Sequence, residues 1–268
     1  MVPDFLTQIL KQKKLEVAKQ KQKKSLFDYE SEFEKKKENR FSKKLLKSNE
    51  SGCSGIIAEM KKGSPSKGLL REDYDPISIA RAYDKNGAAC LSVLTEKSFF
   101  SGALEHLENV RANVKLPLLR KDFIIDDYQV LESFASGADC ILLIVGALPL
   151  SLMKELKLRA DSLGLDCLIE VHSEKELQSA LELNDVILGV NNRNLTSFKV
   201  DLETSINLRP KVPNNTLLVA ESGINTASDL VRLKHAGYKN FLIGESLITA
   251  SDPGLALQRL LTEFNNIC

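Results

Sequence analysis

Metal-ligand spacing is missing from this 268-residue chain: there is no CxxC pair, and its three histidines, His106, His172 and His235, lie far apart. No zinc site is expected, so any catalysis has to rely on Lys, Glu and backbone donors. A disulfide framework is missing too. The five cysteines (Cys53, Cys90, Cys140, Cys167, Cys268) are scattered, and three sit in or beside apolar runs where a reduced thiol packs as a small hydrophobe. Charge excess of either sign is absent, with 37 Lys plus Arg against 36 Asp plus Glu and a formal net charge of +1, which gives no overall bias toward nucleic acid or membrane. No apolar run reaches the length of a membrane span or signal peptide, so a cytoplasmic protein is expected. The first strand-to-helix turn lacks GxGxxG, which weakens a dinucleotide-binding reading. No Gly/Ser-rich or Pro-rich linker and no low-complexity stretch follows residue 50, favouring one continuous domain over two.

What is present is 43% hydrophobic residues, enough for one sizeable core. Residues 1–50 carry about +6 (14 basic, 8 acidic). Within Asp4 to Lys24, Phe5, Ile9, Leu10 and Leu15 stand among lysines at a period compatible with an amphipathic helix, and Leu26 to Leu46 continues charged with sparse apolar anchors. Mixed signs point to a solvated helical face packed across one end of the main body rather than a nucleic-acid arm.

From residue 54 short apolar runs alternate with longer amphipathic stretches, the texture of βα units and a parallel sheet. The runs are Gly55–Glu59, Ala89–Leu94, Pro117–Lys121, Asp139–Ile144, Asp166–Glu170, Val186–Val190, Thr216–Ala220 and Asn240–Ile243. Helices are predicted at Ile77–Asn86, Leu104–Ala112, Tyr128–Ser136, Leu150–Leu163, Glu174–Leu183, Leu202–Leu208, Ala227–His235 and Gly254–Phe264, with Gly87, Gly137, Gly164 and Gly237 as left-handed caps behind four of them. Eight repeats suit a closed barrel. The expected architecture is α/β, a single (β/α)8 TIM barrel over residues 51–268 behind an N-terminal helical extension over 1–50.

Working residues of such a barrel belong at the C-terminal ends of its strands. The first run ends in Glu59-Met-Lys61, the third in Arg120-Lys121-Asp122, the fifth in Glu170, the sixth in Asn191-Asn-Arg193, the seventh in Glu221-Ser222-Gly223 and the eighth in Gly244-Glu245-Ser. Charges abutting six apolar runs are expected to converge on one polar pocket, since buried without partners they would be costly. Glu59 and Lys61 lie two apart and so share a strand face, as a catalytic pair or a structural ion pair. Lys121 offers a second ammonium, and if Lys61 is near, repulsion and desolvation would lower the proton affinity of one of them. Glu170 is a candidate acid/base, and Arg193 a candidate clamp for carboxylate or phosphate. Glycine after the last two runs lets backbone N–H groups approach a phosphate. Gly63-Ser-Pro-Ser-Lys-Gly68 reads as a lid or an ordinary turn.

Taken together, Ile57-Ala-Glu-Met-Lys-Lys-Gly-Ser-Pro-Ser-Lys-Gly68, Ser92-Val-Leu-Thr-Glu96 with Phe99-Phe-Ser-Gly102, Leu119-Arg-Lys-Asp-Phe-Ile-Ile-Asp126, Leu168-Ile-Glu-Val171, Gly189-Val-Asn-Asn-Arg193, Glu221-Ser-Gly-Ile224 and Phe241-Leu-Ile-Gly244 resemble the indole-3-glycerol-phosphate synthases. Ile9-Leu10 with Lys13 resembles that family's helical segment before the barrel. The resemblance implies a metal-free, cofactor-free tryptophan-biosynthesis enzyme that converts 1-(o-carboxyphenylamino)-1-deoxyribulose 5-phosphate to indole-3-glycerol phosphate. It implies that Lys121 is the general acid on the sugar carbonyl, that Glu170 assists dehydration, and that Glu59, Lys61 and Asn191 complete the catalytic mouth. Lys61 and Arg193 would hold the anthranilate carboxylate or nearby oxygens. Ser64, Ser222, Gly223, Gly244 and Glu245, the last through its backbone N–H, would serve the phosphate, with Glu221 beside them. Phe99, Phe100 and Phe123 would wall the anthranilate ring. Asn194 stands where the family often has Asp, a change that would loosen Arg193. The implied partner is the small phosphorylated substrate, with neither nucleic acid nor membrane, in a monomer or weak homodimer. Two readings compete: another phosphosugar barrel such as phosphoribosylanthranilate isomerase, which uses a Cys and Asp acid/base pair at strand ends whereas the first run here ends in Glu-x-Lys, and a non-catalytic barrel that binds a phosphate ligand or a partner protein.

Overall fold

A computed structural model describes residues 5–30 and 38–267; the expectations for Asp4, the stretch 31–37 and Cys268 lie outside the described residues. Eight parallel strands close into a barrel: β1 (Gly55–Met60), β4 (Cys90–Leu94), β5 (Leu118–Lys121), β6 (Cys140–Ile144), β7 (Asp166–Val171), β8 (Ile187–Asn191), β9 (Leu217–Glu221) and β10 (Asn240–Ile243). Each pairs with its sequence neighbour, and β10 closes on β1 with Gly55 opposite Asn240 and Ala58 opposite Ile243. The connecting helices are α4 (Pro76–Lys85), α5 (Leu104–Asn113), α6 (Asp127–Ala135), α7 (Leu150–Leu163), α8 (Glu174–Ala180), α9 (Glu203–Leu208), α10 (Ala227–His235) and α12 (Pro253–Ile267). The expected (β/α)8 barrel is the fold found, and its boundaries differ from the predicted ones by a few residues at most. Gly87, Gly137, Gly164 and Gly237 all take positive φ, as caps behind helices require.

Strand parity divides the apolar residues into two cores. Ile56, Ala58, Leu91, Val93, Ile141, Leu143, Ile169, Leu188, Val190, Ala220 and Phe241 face outward into the layer between sheet and helices. Ile57, Cys90, Leu119, Cys140, Leu142, Leu168, Ile187, Val219 and Leu242 fill the barrel interior. Side chains two apart on a strand share a face. Glu59 therefore follows Ile57 inward, Lys121 follows Leu119, Glu170 follows Leu168, Asn191 follows Ile187 and Glu221 follows Val219.

Three further helices precede the barrel: α1 (Phe5–Lys23), α2 (Leu26–Glu30) and α3 (Arg40–Glu50). Phe41 and Leu45 of α3 are fully buried within the interior cluster, and Asp166 at the foot of β7 accepts hydrogen bonds from the Phe41 and Ser42 N–H groups at 3.0 Å each. That carboxylate satisfies orphan donors at the helix start. α1 lies at the opposite end, with Phe5 edge-on to Phe99 at 5.3 Å and to Phe198 at 5.0 Å. Most lysines of α1 are solvated as expected, but Lys13 is not. It is 5% exposed and ion-paired with Asp122 and Glu16, at 2.9 Å each. No helix among the described residues is long and apolar enough to cross a membrane.

Candidate active site

The C-terminal mouth is a cleft lined by Glu59, Lys61, Phe100, Lys121, Phe123, Glu170, Asn191, Arg193, Glu221, Ser222, Gly223, Gly244 and Glu245, so thirteen of the fifteen singled-out site residues meet on one surface. The fourteenth, Ser64, lines a smaller adjoining cavity with Phe5, Leu6, Ile9, Pro65 and Phe198, sharing Lys61, Phe100, Phe123 and Arg193 with the main cleft. The segment around it is a small hairpin, β2 (Gly63–Ser64) against β3 (Gly68–Leu69), rather than an open loop. Phe99 departs from its predicted place, turning toward Phe5 of α1 while Phe100 and Phe123 wall the cleft.

At the centre is Lys121. Its Nζ lies 3.1 Å from Glu170 Oε2 and 3.5 Å from Glu221 Oε2, while Lys61 Nζ lies 2.7 Å from Glu59 Oε2. The expected lowering of a lysine's proton affinity is reversed at Lys121. Burial alone would push its ammonium down, but the carboxylates of Glu170, Glu221 and Glu59 outweigh burial and hold it far above the ordinary lysine value. The two glutamates beside it are driven apart. Burial would raise Glu170, yet Lys121, His172 and the Asn191 amide bring it well below the usual carboxylate range. Glu221 is pushed up to about 8, by burial and by the neighbouring Glu170 and Glu59 charges that Lys121 only partly offsets. Glu59 is held low by Lys61 and Lys121 against the effect of burial.

Glycine is required at two places here. A Cβ on Gly189 would overlap Glu221 Oε1, and one on Gly244 would overlap Glu59 Oε2. The Gly244 position, read from sequence as a phosphate approach, thus also makes room for a catalytic-mouth carboxylate.

Arg193 is held by Asn191, Glu245 and Phe198. Its backbone N–H donates to Asn191 Oδ1 at 2.9 Å and its Nη2 to Glu245 Oε2 at 3.3 Å, whereas Asn194 Oδ1 accepts from the Thr196 and Ser197 N–H groups in its own turn. The turn that Asn194 caps also presents the Phe198 carbonyl, which accepts from Arg193 Nη1 at 3.5 Å. Glu245 also reaches Lys67 of the hairpin at 2.5 Å, tying the hairpin to the far rim. On that rim Ser222 and Gly223 both adopt left-handed backbone, and Glu245 opens the short helix α11 (Glu245–Ile248).

Not every charge at a strand end joins the mouth. Arg120, of outward parity, is buried beneath α6, donating to Glu132 Oε2 at 2.8 Å and Ser133 Oγ at 3.1 Å. Asn192 likewise turns away, accepting from the Ser205 N–H. Reading the sequence for terminal charges alone missed that alternation splits them. It also passed over the apolar lining from Leu142, Ile144 and Leu195, which looked like ordinary core, and over His172, whose only signal was its position two residues after Glu170.

The whole arrangement has close relatives. Residues 6–260 match the family model described as Indole-3-glycerol phosphate synthase. The chain belongs to this family. Relatives named indole-3-glycerol phosphate synthase include that of Polaromonas sp., 46% identical over 258 residues that span 96% of this chain and 98% of the relative. The protein of the same name from Chromobacterium violaceum is 50% identical over 209 residues, 78% of this chain and 79% of the relative. Among solved structures, tryptophan synthase subunit alpha from Legionella pneumophila superposes with a TM-score of 0.60 at 17% identity, covering 85% of this chain and 97% of that one. The 3-hexulose-6-phosphate synthase of Salmonella typhimurium gives 0.63 at 11%, over 79% and 99%. These distant likenesses show the barrel alone; the indole-3-glycerol phosphate synthase family places the protein in tryptophan biosynthesis.

Proposed function

We propose that this indole-3-glycerol phosphate synthase acts as a carboxy-lyase on 1-(o-carboxyphenylamino)-1-deoxyribulose 5-phosphate, releasing indole-3-glycerol phosphate, carbon dioxide and water. The observation that carries the reading is a part-buried ammonium, Lys121, held among three carboxylates between an apolar wall and two glycine-bearing loops. Ring closure joins the aromatic carbon bearing the carboxylate to the sugar ketone carbon, and the ketone oxygen gains a proton. Lys121 stays charged across the physiological range, so it stabilises the developing alkoxide and surrenders its proton only to an oxygen that basic. Loss of carbon dioxide then restores the ring, its electron pair returning to the aromatic carbon. Dehydration expels the new hydroxyl as water, protonated by an ammonium, while a carboxylate removes the balancing proton. Glu170 is placed for that work because it is anionic and 3.1 Å from Lys121.

Phe100, Phe123, Leu142, Ile144 and Leu195 suit the anilino ring, and an apolar surround favours a carboxylate that leaves as a neutral gas. Lys61, with Glu59 and Asn191, borders the reacting carbons. Arg193 and Lys61 hold the carboxylate before it leaves. The phosphate goes to the Ser222–Gly223 and Gly244–Glu245 loops, the rim where barrels of this type receive phosphate beside a short extra helix. Ser64 serves from the hairpin above. In this reading residues 1–50 are an extension on a catalytic barrel of 51–268, and the protein works in the cytoplasm as a monomer or weak homodimer. The direct test is incubation of the purified protein with the anilino-deoxyribulose phosphate while following indole fluorescence. A time-dependent rise is expected; no rise at micromolar enzyme overturns the reading.

A further inference from the structure

His172 has no part in the chemistry described so far, yet it touches the residue at its centre. It follows β7 directly, and its ring is held between two carboxylates: Nδ1 lies 3.1 Å from Glu176 Oε2 and Nε2 lies 3.2 Å from Glu170 Oε1. The Glu176 end is anchored twice, because the same Oε2 accepts the His172 backbone N–H at 2.7 Å. Glu176 sits in the first turn of α8, where Ser173 caps the helix by accepting the Glu176 N–H. The imidazole is thus fixed by secondary structure before it meets the active site. Its side chain is only 11% exposed.

The 3.2 Å contact pairs the ring with the Glu170 carboxylate, so a charged imidazole favours the anionic form of Glu170. The geometry around the two central glutamates is lopsided as a result. Glu170 has a cation on each oxygen, Lys121 on Oε2 and His172 on Oε1. Glu221 has Lys121 as its one paired cation, at the longer distance, and otherwise faces the Glu170 carboxylate. One ammonium is shared unequally between these two carboxylates, and His172 adds a second cation to Glu170 alone, beside the Asn191 amide.

We propose that His172, clamped by Glu176, is a positioning residue that keeps Glu170 anionic and leaves any shared proton on Glu221. The proposal rests on the reading of Glu170 as the base of the dehydration step and names what maintains it. The charged and titratable groups facing this cluster are Glu170 from β7, Glu176 from α8, Lys121 from β5, Glu221 from β9, and Glu59 with Lys61 at the end of β1. Burial would depress the imidazole, but Glu170 and Glu176 together push it up to about 10, so it remains a cation through the working range. Removing it leaves Glu170 and Glu221 more nearly equivalent and raises the pH at which Glu170 loses its proton.

The experiment compares pH profiles of turnover for the wild type, His172→Gln, Glu176→Gln and Glu170→Gln, with melting temperatures confirming that each is folded. His172→Gln is expected to move the acid limb upward by at least one pH unit, while turnover approaches wild type near pH 8.5. Glu176→Gln is expected to shift the limb the same way by less. Glu170→Gln is expected to be inactive at every pH. If Glu170→Gln keeps wild-type turnover, the base assignment fails and the proposal with it. If Glu170→Gln is inactive but His172→Gln keeps the wild-type acid limb, the assignment stands and only the positioning role is overturned. A second measurement needs no variant to be active: with three histidines in the chain, imidazole nitrogen NMR should find one ring still protonated at pH 8, lost from the spectrum in His172→Gln. A neutral His172 at pH 8 overturns the proposal.

Discussion

Lys121→Met removes the single ammonium shared by Glu170 and Glu221 while keeping most of the side chain's volume. Loss of a general acid costs about 100- to 10,000-fold in rate, equivalent to about 3–5.5 kcal/mol of activation free energy. The stability effect is separable and depends on pH. In the wild type, the depressed Glu170 contributes stability that is present above its unfolded pKa and lost as pH falls; the raised Lys121 contributes stability that is lost only as pH climbs past the ordinary lysine value. In the variant the buried carboxylates repel without compensation, and their folded pKa values rise. Near pH 4 both states of the variant bind those protons, and the added penalty of burying unpaired charge is small. As pH rises the folded protein must either hold protons the unfolded chain has released or bury unpaired charge, and the penalty grows toward about 3–5 kcal/mol by pH 8. Urea unfolding at pH 5 and pH 8, with indole fluorescence for turnover, reads both effects. A pH-independent stability loss, or turnover within tenfold of wild type, refutes the electrostatic account of Lys121.

Gly189→Ala should lower the melting temperature by an amount equivalent to about 1–3 kcal/mol and impair turnover, because the new methyl displaces Glu221 Oε1; a neutral effect in differential scanning fluorimetry would contradict the close approach. Lys13→Met should cost about 3 kcal/mol, the low end for unpairing a buried charge, since Arg120 and Thr95 still hold Asp122. Lys13 and Arg120 hold Asp122 low against burial, so this difference is present above about pH 4 and should shrink as the medium is acidified below it, as measured by urea unfolding. Arg193→Gln should raise KM about tenfold with kcat little changed, the pattern of lost ground-state binding in steady-state kinetics.

The α1 helix is more than a cover. Through Lys13 it reaches Asp122, the residue after Lys121, and through Phe5 it packs on Phe99 and Phe198 beside the cavity that holds Ser64. Its basic composition suggested a solvated face, because composition counts charges without saying which one turns inward.

Strand parity and position were readable from the sequence because they are local. A residue two places after a buried strand residue shares its face, so Glu59, Lys121, Glu170, Asn191 and Glu221 were destined for one side of their strands wherever those strands went. Alternation and glycine punctuation likewise determined the repeat of strand and helix. What the chain order did not contain was distance between residues far apart along it. Only closure of the barrel set three carboxylates around Lys121 and so reversed the direction in which its proton affinity moves. Coulomb energy depends on separation in space, and separation in space is what the tertiary structure supplies.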